Sequence, residues 1–155
     1  MRLSRVISGA LCLLVLCSLV FSQSAVCAKD IDWDKELQTG YQQLTMGNSE
    51  NAQGIFSKKV KKYPTSAACH TALGRAYKRL GKIDEAKGEF IQATKLDSNY
   101  ADGFYELGVM QESDKQWLDA SEAFQQYLRL KPSTADRKTI ADRIQFCKSQ
   151  LTDTN

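Results

Sequence analysis

The sequence predicts an all-α fold: three helix–turn–helix units in a row, closed by one further helix. Three observations carry that expectation. Residue identities recur at a spacing of 34, with Gly40, Gly74 and Gly108 in one column, Ala52, Ala86 and Ala120 in a second, and Phe56, Phe90 and Phe124 in a third. Within a unit the pattern is helical: Phe104, Leu107, Gly108 and Gln111 stand at i, i+3, i+4 and i+7 on one face. The chain of 155 residues holds only two prolines, too few for an all-β design with many tight turns.

Residues 1–28 read as an export signal. Arg2 and Arg5 make a positive start, Leu11 to Phe21 is apolar apart from Ser18, and no acid precedes Asp30. Val26 and Ala28 fit cleavage before Lys29. The apolar run is short beside the roughly 20 residues of a membrane span. An uncleaved anchor and lipidation at Cys27 are the alternatives, and only these would tie the protein to a membrane; Val26 is larger than a lipobox wants before its cysteine. The expected location is exported, either periplasmic or secreted after cleavage near Ala28. Without residues 1–28, 19 basic residues face 18 acidic ones, a balance that offers no case for nucleic-acid binding.

The repeat domain is expected over 29–151, with units at about 33–66, 67–100 and 101–134, a closing helix at 135–151 and a polar tail at 152–155. The Gly40, Gly74 and Gly108 column leaves no side chain on the first helix of each unit, so its partner helix can approach. The alanine column does the same from the second helix, and the phenylalanines fill the space between. Gly47 and Gly81, with Lys115 in the third place, mark the turn inside each unit, where a left-handed backbone suits glycine. Asp84, Glu85 and Asp119 put negative charge at the start of second helices, where the dipole favours it. Pro64 and Pro132 end units because proline cannot continue a helix. Ile140, Ile144, Cys147 and Leu151 form the apolar stripe of the closing helix.

This period and these identities resemble the tetratricopeptide repeat. The middle unit matches its pattern best, with Leu73, Gly74, Tyr77, Gly81, Ala86, Phe90 and Ala93; the third gives Phe104, Leu107, Gly108, Trp117, Ala120, Phe124 and Pro132; the first departs at Thr39 and Gln43. The resemblance spans about Trp33 to Pro132. It implies a right-handed α-solenoid of three tetratricopeptide repeats plus a C-terminal capping helix, and protein binding as its use.

No constellation for catalysis is present in the sequence, and no enzyme, cofactor or metal site is expected. The one histidine, His70, falls where the family carries a bulky packing residue, and is read as a hydrogen-bonded boundary histidine; a His₂ or His₃ metal site is excluded. No CxxC, phosphate loop or nucleophile elbow occurs. Cys69 and Cys147 lie two units apart, beyond disulfide reach, and are expected to be free thiols.

The resemblance further implies a concave groove lined by the first helix of each unit. Carried over by position, it is lined by Leu37, Tyr41 and Leu44 in the first unit, Arg75, Lys78 and Arg79 in the second, Tyr105 and Val109 in the third, and Arg143 in the closing helix. The first three would form an exposed apolar stripe beside a basic patch of Arg75, Lys78 and Arg79. A solvated basic face, with the stripe packed inward, is the plainer reading of the same residues. Some family members clamp a C-terminal carboxylate with Lys, Asn and Arg; here those positions hold Leu37, Tyr41, Ala72, Asp102 and Glu106, and none matches. The expected function is an exported adaptor or scaffold that binds a peptide or protein in its groove. The alternative is a self-associating structural component, a homodimer that buries Leu37, Tyr41 and Leu44.

Overall fold

The structure is a computed structural model that describes residues 31–152. The export signal at 1–28, its cleavage near Ala28 and lipidation at Cys27 all concern residues outside that range. The described residues hold seven helices and no strand: α1 (Trp33–Thr45), α2 (Ser49–Lys62), α3 (Ala67–Arg79), α4 (Ile83–Leu96), α5 (Ala101–Ser113), α6 (Trp117–Leu130) and α7 (Arg137–Thr152). They pair as α1–α2, α3–α4 and α5–α6, with α7 laid against α6. The first helices also touch one another along the array, α1 on α3 and α3 on α5. This is an all-α helical-repeat solenoid.

The three columns of the repeat meet in space. A Cβ added to Gly40 would lie 2.2 Å from the Phe56 ring, one on Gly74 would lie 2.5 Å from Phe90, and one on Gly108 would lie 2.8 Å from Phe124. All three rings are fully buried, as are Ala52, Ala86 and Ala120. Each pair is therefore locked by a ring pressed against bare backbone. That contact needs glycine on one helix and an aromatic sixteen residues later on the next.

The turns inside the units are built alike. Gly47 and Gly81 take φ of 82° and 72°, and Lys115 takes 59° at the same place in the third unit. The amide after each residue turns back to the helix end, Asn48 N–H to Gln43 O at 2.9 Å, Lys82 to Tyr77 at 3.0 Å and Gln116 to Gln111 at 2.8 Å. These bonds satisfy carbonyls the helix would leave open. α3 starts on Ser66, whose hydroxyl accepts from the Cys69 amide at 3.3 Å.

α7 closes the apolar end. Ile140 and Cys147 are buried against Ala101, Phe124 and Tyr127, with Ile144 beside them. The helix begins two residues later than the expected 135, because the chain makes a turn in which the Arg137 amide bonds Thr134 O and its guanidinium bonds Pro132 O. Most of its outer residues are polar and exposed, among them Lys138, Asp142, Gln145 and Lys148, and Phe146 is exposed beside them. Cys69 and Cys147 are both free and buried, and burial pushes both thiols up, away from the reactive thiolate.

His70 ties α3 to α4. Its Nδ1 lies 2.6 Å from Glu89 Oε2 and its Nε2 lies 3.0 Å from Pro64 O. Both neighbours accept, so both ring nitrogens must carry protons while Glu89 is ionised. The Glu89 hydrogen bond accordingly raises the His70 pKa, against the opposing effect of burial. A raised folded value means stability that is complete below the ordinary histidine value of 6.5 and is lost as pH climbs through the raised one. Denaturation followed across that window should show stability falling with pH, and His70→Gln should flatten the slope. An unchanged slope in that variant would refute the pairing.

Candidate functional site

The faces of α1, α3 and α5 that look away from the second helices form the candidate binding surface. An ion-pair lattice crosses it. Arg75 on α3 sits at its centre: Nε donates to Glu106 Oε1 at 2.7 Å, Nη2 to Asp102 Oδ2 at 3.3 Å and Nη1 to the Tyr41 hydroxyl at 3.2 Å. One side chain in the second unit thus holds groups in the first and third. Lys78 donates to the other oxygen of Glu106, and Lys131 donates to Asp102 Oδ1 at 2.6 Å. Farther along, Arg143 of α7 donates to Glu112 and lies over the Phe124 ring at 4.5 Å.

The electrostatics follow from these contacts. Burial works against charge on Arg75, but Tyr41, Glu106 and Asp102 around it outweigh burial and hold the guanidinium above its usual value. Burial alone would raise the Asp102 carboxyl; the hydrogen bond from Lys131 and the charge of Arg75 overcome it and lower the pKa. Burial raises the hydroxyls of Tyr41 and Tyr100, so both stay protonated. Glu106 is only 5% exposed, a buried carboxylate made tolerable by two cations.

This geometry corrects two expectations. Leu37 and Leu44 are core residues, 2% and 8% exposed, not an exposed stripe. Leu37 shares a cluster with Ala68 and Ala72 on α3, whose small side chains admit it. Thr71, the equivalent of Leu37 one unit on, is fully buried as well, because first helices pack side by side and this position lies on the shared seam. Of the three residues expected to form a homodimer face, Leu37 and Leu44 are therefore already buried inside one chain, and Tyr41 is half-buried. Second, Arg75 and Lys78 are not a free basic patch, since Asp102 and Glu106 neutralise them. Of that trio only Arg79 is exposed.

The other positions lie as half-buried walls. Tyr41 packs its ring on Phe56 at 5.2 Å, Tyr105 lies against Phe124 and Tyr127, and Val109 joins the same cluster. Sequence reasoning missed Glu106 and Lys131 as members of the lattice. The one signal in the sequence was opposite charge on consecutive first helices, Asp102 and Glu106 four apart on α5 and Arg75 and Lys78 three apart on α3. At the α1 end lies a shallow depression of about 310 Å³, lined by Asp34, Gln38, Tyr41, Gln42 and Thr45. Among the described residues no cluster of side chains could hold a metal ion.

Comparison with known proteins places this geometry. The family model described as TPR repeat matches residues 74–114. The chain is 21% identical over 122 residues to the Hsp70-Hsp90 organizing protein of Triticum aestivum, covering 79% of this chain and 20% of that one, so it spans about a fifth of that relative's length. Among solved structures it is similar to the first TPR of Spaghetti (RPAP3) bound to the HSP90 peptide SRMEEVD, with TM-score 0.68 and 18% identity over 77% of this chain and 93% of that one. The Sgt2 TPR domain from Aspergillus fumigatus gives TM-score 0.68 and 17% identity over 80% and 82%. The MamA protein gives 0.64 and 24% over 76% and 63%. The helix pairs, their glycine–phenylalanine locks, the repeat model matched at residues 74–114 and these similar structures agree: residues 33–152 have the tetratricopeptide-repeat fold.

Proposed function

We propose that the protein is an exported adaptor that binds a peptide segment of a partner protein along α1, α3 and α5. The observation that carries this reading is the open depression on α1 beside the lattice. Its walls are polar and aromatic, and its lining residues Asp34, Gln38, Gln42 and Thr45 are exposed. A carboxylate, two amides, a hydroxyl and a tyrosine ring suit a peptide backbone with neutral or basic side chains, a polar mode of peptide recognition. Export rests on Arg2, Arg5 and the apolar run Leu11 to Phe21; a mature N-terminus at Lys29 would support it, and a chain retained in the cytoplasm would refute it.

The partner differs from the HSP90 peptide of the RPAP3 domain. At the positions that clamp a terminal carboxylate, Leu37 is buried, and Asp102 and Glu106 present negative charge already joined to Arg75. An SRMEEVD peptide is therefore expected not to bind. The deciding experiment selects peptides from a random display library on the full chain, then measures them on Gln38→Arg/Gln42→Arg. A loss of ten-fold or more, about 1.4 kcal/mol, is expected. Undiminished binding, or selection of acidic C-terminal tails, would move the site elsewhere.

A further inference from the structure

The helices within each pair run antiparallel, so one edge of the array collects the N-termini of first helices and the C-termini of second helices. Contacts across that edge show it: Glu36 in the first turn of α1 pairs with Lys59 at 2.7 Å and Lys62 at 3.6 Å near the end of α2, and the Trp33 ring meets Tyr63 edge-on at 5.3 Å. On this edge one repeat position is cationic in all three units. Lys61, Lys95 and Arg129, each 34 residues apart, stand in the last turns of α2, α4 and α6. All three are exposed, and none takes part in an ion pair among the described residues. Lys58 and Lys62 extend the row at α2. The opposite edge is mixed in charge, with Glu50, Asp84, Glu85 and Asp119 in the first turns of the same helices beside exposed Arg79, Lys82 and Lys115.

We propose that this basic edge docks on an anionic bilayer surface. Helix dipoles explain one cation at each helix end. They do not explain Lys58 and Lys61, both exposed toward the end of α2, in addition to Lys59 and Lys62, which share Glu36. A row of cations one unit apart is the complement of a sheet of phosphate headgroups, where each basic residue near the surface adds attraction within a Debye length. Trp33 and Tyr63 stand beside the row, half-buried rings with polar tips of the kind found at membrane interfaces. Lys62 lies over the Tyr63 ring at 4.7 Å, which joins the two features. The chain also enters α1 at this edge. Among the described residues no helix is long and apolar enough to cross a membrane.

The test uses the full chain and two variants of equal net charge, Lys61→Glu/Lys95→Glu on the basic edge and Lys82→Glu/Lys115→Glu on the opposite one. Each partitions onto vesicles of phosphatidylcholine alone and of phosphatidylcholine mixed equally with phosphatidylglycerol. The ratio of the two partition coefficients isolates the charge-dependent part, because the N-terminal segment is the same in all three chains. The parent chain should favour the mixed vesicles. The first variant should lose about 25-fold of that preference, roughly five-fold per cation removed; the second should lose much less. Equal losses in both would reduce the effect to net charge and overturn the proposal. No preference in the parent chain would also overturn it, and would leave the row as a face for an acidic protein. Peptide binding at α1 is read separately, so either result can fail alone.

Discussion

Phe90→Ala should cost about 3–5 kcal/mol of folding stability, with a fall in Tm on the order of 10–20 °C in thermal denaturation. The ring is fully buried against the bare backbone of Gly74, in one cluster with Ala86, Leu107 and Met110. Leu107 and Met110 belong to the third unit, so the cavity opens where units two and three meet. In a stacked array that interface couples the halves, and its loss removes nearest-neighbour stabilisation as well as apolar burial. A cost below about 1 kcal/mol would mean that the ring is not packed as described. The reciprocal change sharpens the test. Gly74→Ala should cost about 1–3 kcal/mol, because the added methyl meets a ring that cannot withdraw. Gly88, on the outer face of α4, meets nothing within 4 Å, and Gly88→Ala should gain about 0.5–1 kcal/mol from lower unfolded-state entropy and better helix propensity. The same chemical exchange thus has opposite signs at two positions fourteen residues apart.

Arg75→Leu is the second large expected effect, a loss of about 3 kcal/mol in urea denaturation. It leaves Glu106 buried with Lys78 alone and removes the donors to Asp102 and the Tyr41 hydroxyl. The loss falls at the low end for a broken buried pair because Lys78 and Lys131 remain. Adding Glu106→Leu should recover most of it, since the uncompensated carboxylate is the main cost. A coupling energy above about 1 kcal/mol in that double-mutant cycle is expected; additive losses would show that Arg75 acts by packing alone. The sign with pH also follows. The lowered Asp102 pKa supplies stability that is complete above the ordinary aspartate value and is lost as pH falls through the lowered one. Arg75→Leu should therefore weaken the acid dependence.

The helices, their pairing and their order were legible because each depends on residues close in sequence. A glycine and a phenylalanine sixteen apart fall on facing sides of one helix pair, and the 34-residue period repeats that local fit three times. Turn glycines and the closing stripe of Ile140, Ile144 and Cys147 read the same way. His70 was legible as a bonded boundary residue, although Glu89, nineteen residues away, was not named as its partner.

The surface was less legible, and the reason is geometric. Whether a first-helix position faces the groove or the seam depends on how consecutive units are rotated, which no spacing within one unit encodes. Leu37 and Leu44 looked exposed by position and are buried because α3 offers Ala68 and Ala72 at the seam. Arg75 and Lys78 looked like a free basic patch, and only the stacking of α5 on α3 brings Asp102 and Glu106 onto them from about thirty residues away. Local fit was written in the sequence by itself, from the 34-residue period down to the glycine under each ring. Which faces are buried and which charges are spent on one another was decided by the packing of unit on unit, because burial and ion pairing are properties of neighbours that the chain acquires only when it stacks.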